Sequence, residues 1–440
     1  MRPTFNTPVK AERARKRKQV GALALLAALV AGPATAIETD FSVFGTLGYT
    51  RSNSDLVYLR GIDRNGTLAQ DTRLGLQADV RLSPQWSATV QLRAAPKADA
   101  ESGYDITPAW AFLAWRPDND WLVRAGKFRV PFYLYSQVLD LGVAHPFARL
   151  PQEIYTVSPV NDFKGLYVTR TMNLDSGELS LDVVAGQANP VVRFWYRDGV
   201  PPQVPAGASY RKVDIDILML AASHSTPDLT LRATGFWSKA RTGGQLPVRL
   251  PFVQLAPGIG FFVVDPRLGP VETTDIIHNV GASFGLDWRP APGWRMAAEY
   301  FDYRQKDTEL GSNIQSSYVA LARQMGAWTP YAYAAQVRTR DPQASLYRQL
   351  TQPTLPSGAF PGAGQLNAGQ RVLAESALYM THQRTFALGA AWTPAPHSVV
   401  KFEWARTRIA TASRLVDLAP GQTSAGQRIN VFSVNYSFSF

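Results

Sequence analysis

The feature that most constrains this 440-residue chain is an alternation of apolar and polar residues, sustained over segments of about ten residues. In 72–82, Leu74, Leu76, Ala78, Val80 and Leu82 alternate with Arg73, Gly75, Gln77, Asp79 and Arg81. After a tight turn at 83–85 that contains Pro84, Trp86, Ala88, Val90, Leu92 and Ala94 alternate with Ser87, Thr89, Gln91 and Arg93. Period two marks a strand with one apolar and one polar face. Strands of a soluble sandwich run about 5–6 residues, whereas a strand tilted across a bilayer needs about 9–11. The segments here have the second length. Beyond residue 36 no apolar run approaches the roughly 20 residues of a membrane helix; stretches such as 215–222 are among the longest. Such a chain crosses lipid only if its strands close into a barrel, because every backbone group must then find a partner within the protein.

The connections are sorted by length. Short turns are expected near 83–85, 116–120, 173–177, 225–227, 289–293, 326–327 and 393–397. Long polar or Gly/Pro-rich loops alternate with them, at 51–70, 95–105, 131–160, 188–210, 239–274, 305–312, 341–377 and 409–427. Seven turns and eight loops join sixteen strands, an even number with short turns at one end and long loops at the other, as outer-membrane barrels have. The turn at 326 follows from spacing, and 164–172 has no clean alternation. Of 11 Trp residues, seven flank the short turns: Trp86, Trp115, Trp121, Trp288, Trp294, Trp328 and Trp392. An aromatic girdle at one membrane interface gives this distribution. Fold class is therefore all-β, a closed 16-stranded antiparallel barrel over 37–440.

The first 36 residues read as a cleaved signal peptide. A basic stretch at 13–18 precedes an apolar run of about 12 residues at 20–31, then Pro33 and the small residues Ala34-Thr35-Ala36. They contain seven of the 45 basic residues and one of the 34 acids, so the formal charge of +11 falls to 38 bases against 33 acids in the mature chain. Export and this modest excess argue against a nucleic-acid partner. The chain has no Cys, which excludes a disulfide scaffold and thiolate chemistry.

The C-terminal segment 430–440 alternates Phe432, Val434, Tyr436, Phe438 and Phe440 with Ser433, Asn435, Ser437 and Ser439. It resembles the last strand of Gram-negative outer-membrane barrels, which the barrel assembly machinery reads through a terminal Phe. The segment from Val123 to Ser136, with the pattern Arg124-x-Gly126-x-Phe128-Arg129-x-Pro131, leads into Leu139-Asp140-Leu141-Gly142 and Arg149-Leu150-Pro151-Gln152-Glu153. Here the chain resembles the 16-stranded porins, most of all the phosphate-selective and related substrate-selective proteobacterial porins. It lacks a recognisable basic ladder of the dedicated phosphate porins. The resemblance implies a homotrimer whose third loop, 131–160, folds into the lumen.

A 16-stranded barrel is wide enough for a water channel, whose inward residues set selectivity. Read from the polar faces, the inward bases are Arg73, Arg81, Arg93, Arg124, Lys212, Arg232, Arg295 and Lys401. The inward acids are Asp79, Asp182, Asp214, Asp216, Asp287, Glu299 and Glu403. Arg dominates strands two to five, and acids dominate strands seven to eleven. The third loop adds Asp140, His145, Arg149 and Glu153. Lys127 and Arg129 end the fifth strand and break its alternation, so a bulge near Gly126 is expected to turn them inward. The candidate constriction is Arg73, Arg93, Arg124, Lys127, Arg129, Asp140, Arg149 and Glu153. An Arg wall opposite an acidic one would set a transverse field, with a weak anion preference because a basic wall concentrates its counter-charge.

Enzyme readings find little support. The five His residues form no H-x-x-x-H or H-E-x-x-H pattern, and there is no G-x-S-x-G elbow. No catalytic residue, metal ligand or cofactor site is expected. A plug-bearing receptor would need a further domain ahead of the barrel, whereas the first strand is expected close behind the cleavage site. A fatty-acid channel would need an apolar N-terminal plug. The expected function is passive diffusion of small hydrophilic or anionic solutes across the outer membrane of a Gram-negative bacterium, with membrane lipid as the surrounding partner. The alternatives are an adhesin or structural barrel and, behind it, an outer-membrane hydrolase.

Overall fold

The computed structural model describes residues 38–158, 160–199, 205–263, 270–356, 358–378 and 380–440. The expected signal peptide lies outside the described residues. Sixteen antiparallel strands close into one barrel. They are β1 (Glu38–Ser52), β2 (Arg73–Arg81), β3 (Trp86–Pro96), β4 (Tyr104–Trp115), β5 (Trp121–Arg129), β6 (Asp162–Leu174), β7 (Gly177–Ala188) and β8 (Asp214–Ser225), followed by β9 (Leu229–Pro247), β10 (Thr273–Trp288), β11 (Trp294–Gln305), β12 (Asn313–Arg323), β13 (Trp328–Thr339), β14 (His382–Ala395), β15 (Ser398–Ile409) and β16 (Arg428–Ser439). Each strand pairs with its sequence neighbours, and β1 closes on β16 from Phe44↔Ser439 to Ser52↔Val431. The backbones of Val43 and Phe440 exchange two hydrogen bonds of 2.8 Å, so the terminal Phe is the last rung of the seam.

All seven short turns fall where the alternation breaks. The Trp girdle is formed by outward rings at that end: Trp86 stacks on Trp115 and Trp328 on Trp392, with centroids 6.0 and 5.8 Å apart. Above it the lipid-facing side is apolar, with Leu47, Leu76, Leu218, Leu220, Phe284, Val319, Leu388 and Phe432 exposed. No helix is long and apolar enough to cross a membrane, and the closed strands take that role. Two outer-loop helices, α1 (Gln343–Thr351) and α2 (Ala363–Ala377), pack Leu346, Leu350 and Ala374 against Leu250 and Phe262.

Three expectations about facing need correction. The β8 residues Ile215, Ile217, Met219 and Ala221 are buried inside, so Asp214 and Asp216 stand outside with Leu218 and Leu220. The stretch is apolar on both faces, because its inner face meets protein rather than water, and alternation alone cannot orient it. Lys212 ends a hairpin of the fourth outer loop, Val191–Tyr196 with Gly207–Lys212, and is exposed there. No bulge lies at Gly126: both partners of β5 run through it in unbroken register. The shift is one strand over, where Gln91 pairs Trp110 and Leu92 pairs Pro108, leaving Ala109 extra. Gly126 is required for a different reason. Its φ is +142°, and a Cβ there would stand 2.3 Å from the Ala111 carbonyl.

Candidate functional site

The third loop fills the inner core of the barrel. Its first half is aromatic because it packs on protein. Phe132 lies 4.8 Å from Phe236 of β9, and Tyr133 lies 5.2 Å from Phe301 of β11. Phe147 meets Tyr331 and Tyr333 of β13 edge-on at 5.3 and 5.8 Å. Burying each such ring stabilises the seat by about 1.5–3 kcal/mol.

Polar groups fix the loop at defined heights. Glu299 of β11 accepts hydrogen bonds from the Leu134 N–H and the Tyr318 hydroxyl, both 2.9 Å, and from the Tyr155 hydroxyl. Ser283 donates to the Phe132 carbonyl at 2.5 Å. The Tyr331 hydroxyl accepts from the Ala148 N–H and donates to Glu403, each at 2.8 Å. Lys401 of β15 is buried and donates to the carbonyls of His145 (2.7 Å), Phe147 (2.8 Å) and Gly142. A lysine coordinated by three loop carbonyls is an anchor, since its burial is tolerable only with such partners. The acidic wall is thereby redefined. Glu299 and Glu403 are spent on tyrosines and the loop, while Asp182 and Asp287 pair with Arg232 at 3.1 Å and Arg295 at 2.5 Å.

The opposite wall carries the basic cluster. Arg73 and Arg93 each approach Asp140 of the loop at 3.3 Å, and Arg129 bonds its other carboxylate oxygen. Arg129 reaches on to Asp162 at 2.6 Å, and Lys127 approaches the same carboxylate at 3.3 Å. Four cations therefore share two carboxylates, leaving an excess of two. Asp162 was missed in the sequence; its signal was its place as the first residue of the strand that follows the loop.

Arg124 is held differently. Its guanidinium lies 3.9 Å from the Tyr167 ring centroid and near Phe112 and Phe128, and it has no carboxylate partner among the described residues. Cation–π stacking leaves its N–H groups directed edgewise and free for an acceptor.

Arg149 and Glu153 are brought elsewhere. Arg149 pairs with Asp71 at 3.2 Å, and Asp71 also accepts from Thr50 at 2.6 Å. Glu153 is buried against β14, accepting from Gln383 at 2.7 Å and from Thr385. Burial pushes its carboxyl above the ordinary range, and those two hydrogen bonds and Arg149 partly offset this. His145 is pushed well below its ordinary value, first by burial and then by Lys401. Arg149 and Glu153 hold the loop through partners other than Asp140. No group of three or more His, Asp or Glu able to hold a metal occurs among the described residues.

No sequence-family model matches this chain. No curated protein matches it in sequence. Solved structures do match in shape. An anion-selective porin from Comamonas acidovorans superposes with a TM-score of 0.51 at 11% identity, over 92% of this chain and 100% of that one. The outer-membrane channel DcaP of Acinetobacter baumannii gives 0.51 at 11%, over 93% and 99%. OmpT, an outer-membrane protein of Vibrio cholerae in its trimer form, gives 0.51 at 13%, over 92% and 100%. At these identities the likeness is one of fold, and the fold is the closed 16-stranded barrel of the outer-membrane porins.

Proposed function

We propose that the chain is an outer-membrane porin, a passive and non-enzymatic channel for small hydrophilic solutes with a weak preference for anions. The observation that carries this reading is the third loop lodged inside a 16-stranded barrel, its Asp140 tethered to Arg73, Arg93 and Arg129. A loop so placed narrows the lumen without sealing the barrel by covalent means. The wall it faces keeps an excess of two positive charges, and Arg124 adds a cation with no acidic partner. A basic constriction raises the local concentration of anions.

The same reading includes removal of residues 1–36 on export, recognition of the Phe440 strand by the barrel assembly machinery, and a homotrimer. It places Arg73, Arg93, Arg124, Lys127, Arg129 and Asp140 on the solute path, with Arg149 and Glu153 as loop anchors. The porin-fold neighbours and the lipid-facing apolar belt support an outer-membrane location.

The test is single-channel recording in planar bilayers. Wild-type protein should insert with discrete conductance steps, and deletion of 137–150 should raise the step size. A folded protein that never conducts, or a deletion that leaves the step unchanged, contradicts the reading.

A further inference from the structure

Arginines also cluster on the outside of the barrel, where no solute path runs. Arg384, Arg406, Arg408 and Arg428 lie on β14, β15 and β16 at the long-loop end, and all four are exposed. They share the outward parity of Phe386, Leu388, Phe402 and Phe432, so they face lipid. Arg384 pairs directly with Arg408, and Arg408 with Arg428, forming one rung of three arginines across three strands. Arg406 stands on the next rung down, between Phe386 and Asn430. Below it begins the apolar belt, with Leu388, Trp404 and Phe432 in one row.

Directly opposed residues hold their Cβ atoms about 4.5–5.5 Å apart, and like charges there are destabilising. A lipid-facing arginine also costs free energy that rises with depth. Three cations elsewhere on this outer rim are neutralised by carboxylates. Arg241 pairs with Asp216 at 2.5 Å, Arg304 with Asp302 at 3.0 Å, and Arg340 with the same Asp302. Among the described residues no Asp or Glu pairs with the arginine row. It lines a groove of about 770 Å³ whose lining contains no Asp or Glu. The groove floor includes Val319, Ala334 and Phe386, apolar enough to take acyl chain. Guanidinium forks above an apolar trough match a phosphorylated headgroup on its lipid tails.

We propose that this groove binds the phosphate groups of an anionic glycolipid of the outer leaflet, with the acyl chains lying along the β12–β15 surface. The proposal uses the outer-membrane orientation given above and is independent of whether the lumen conducts. The row completes its charge balance with lipid phosphates in place of side-chain carboxylates, and interfacial electrostatics favours that exchange.

The experiment uses the purified, detergent-folded full barrel and native mass spectrometry. The probes are bisphosphorylated lipid A, its dephosphorylated form and inorganic phosphate. Wild type should retain bisphosphorylated lipid A at least tenfold more strongly than the dephosphorylated form. R384Q/R406Q/R408Q/R428Q should lose at least tenfold in that retention while its single-channel conductance stays at the wild-type value. If the fourfold variant does not assemble, R384Q/R428Q removes both ends of the row and should lose at least threefold. Equal retention by wild type and variant overturns the proposal. So does equal retention of the phosphorylated and dephosphorylated lipids, or inorganic phosphate binding as tightly as lipid A. A variant that dissociates into monomers with lipid retention intact would show that the row meets a second copy of the chain, and the proposal would fall. Wild type that retains the lipid but does not conduct would sink the channel reading and leave this one standing.

Discussion

Two groups of arginines on one barrel differ in what neutralises them. Inside, Arg73, Arg93 and Arg129 converge on Asp140, and Arg129 and Lys127 share Asp162. Outside, Arg384, Arg408 and Arg428 stand side by side with no carboxylate in their groove. The inner charges are committed to structure: they pin a loop across the lumen. Among the described residues the outer charges pin no segment. Paired charge here positions a segment of the fold, and the unpaired outer row is where lipid phosphate is proposed to bind.

The comparison breaks most sharply at Asp140. Asp140→Ala leaves three guanidiniums facing one another, and removing one member of a buried ion-pair group costs about 3–5 kcal/mol. The loop tip should detach, so the unfolding temperature falls and single-channel conductance rises. A variant with wild-type melting and conductance would mean that the cluster does not hold the loop. Phe132→Ala acts on the other anchor. It removes a buried ring packed on Phe236 and Phe301, at a cost of about 3–5 kcal/mol if the site cannot collapse. Its conductance should rise as well, but selectivity should stay as in wild type, since no charge changes. Arg408→Gln, at the centre of the outer row, should have the reverse sign. Relief of cross-strand repulsion should stabilise the detergent-solubilised barrel by about 0.2–1 kcal/mol, visible as a small rise in melting temperature with no change in conductance.

Acidity gives a smaller effect with a defined direction. His145 in the docked loop resists protonation because burial and the cations Lys401, Arg295 and Arg73 disfavour it. In a released loop it would titrate near 6.5. As pH falls through 6.5 only the released form gains the proton, so docking weakens by at most tenfold per pH unit. Glu153 opposes this: its raised docked value means that docking strengthens as pH falls toward the ordinary carboxylate range. His145→Gln should therefore dock more firmly than wild type at pH 5 relative to pH 7.5, read as fewer full-conductance openings. Identical pH profiles would remove His145 from the loop's energetics.

Much of this was legible in the sequence, for identifiable reasons. The short turns and the Trp girdle follow from chain geometry and the membrane interface, which leave local marks. The inward course of 131–135 was legible because an aromatic run cannot stay in water. Facing was lost where the lumen is dry. Ile215, Ile217 and Met219 point inward against the loop, so Asp214 and Asp216 were read onto the wrong side. The fate of the acids was also invisible. Glu299 and Glu403 read as pore-lining charges, whereas the Leu134 amide and Tyr155 hydroxyl of the third loop occupy Glu299, and Tyr331, on a strand 72 residues earlier, occupies Glu403. The outer arginine row was hidden because it depends on the register of three strands, which no single segment records.

The central claim is that the inner arginines, after Asp140 and Asp162 have taken their share, leave the constriction positive. The most direct measurement is the reversal potential of the wild-type channel under a KCl gradient in dilute electrolyte, where screening beyond about 10 Å at 0.1 M is weakest. The account predicts a small preference for chloride that fades in concentrated salt and shifts toward potassium in R93E/R124E. A wild-type channel that selects potassium over chloride at low salt would contradict it.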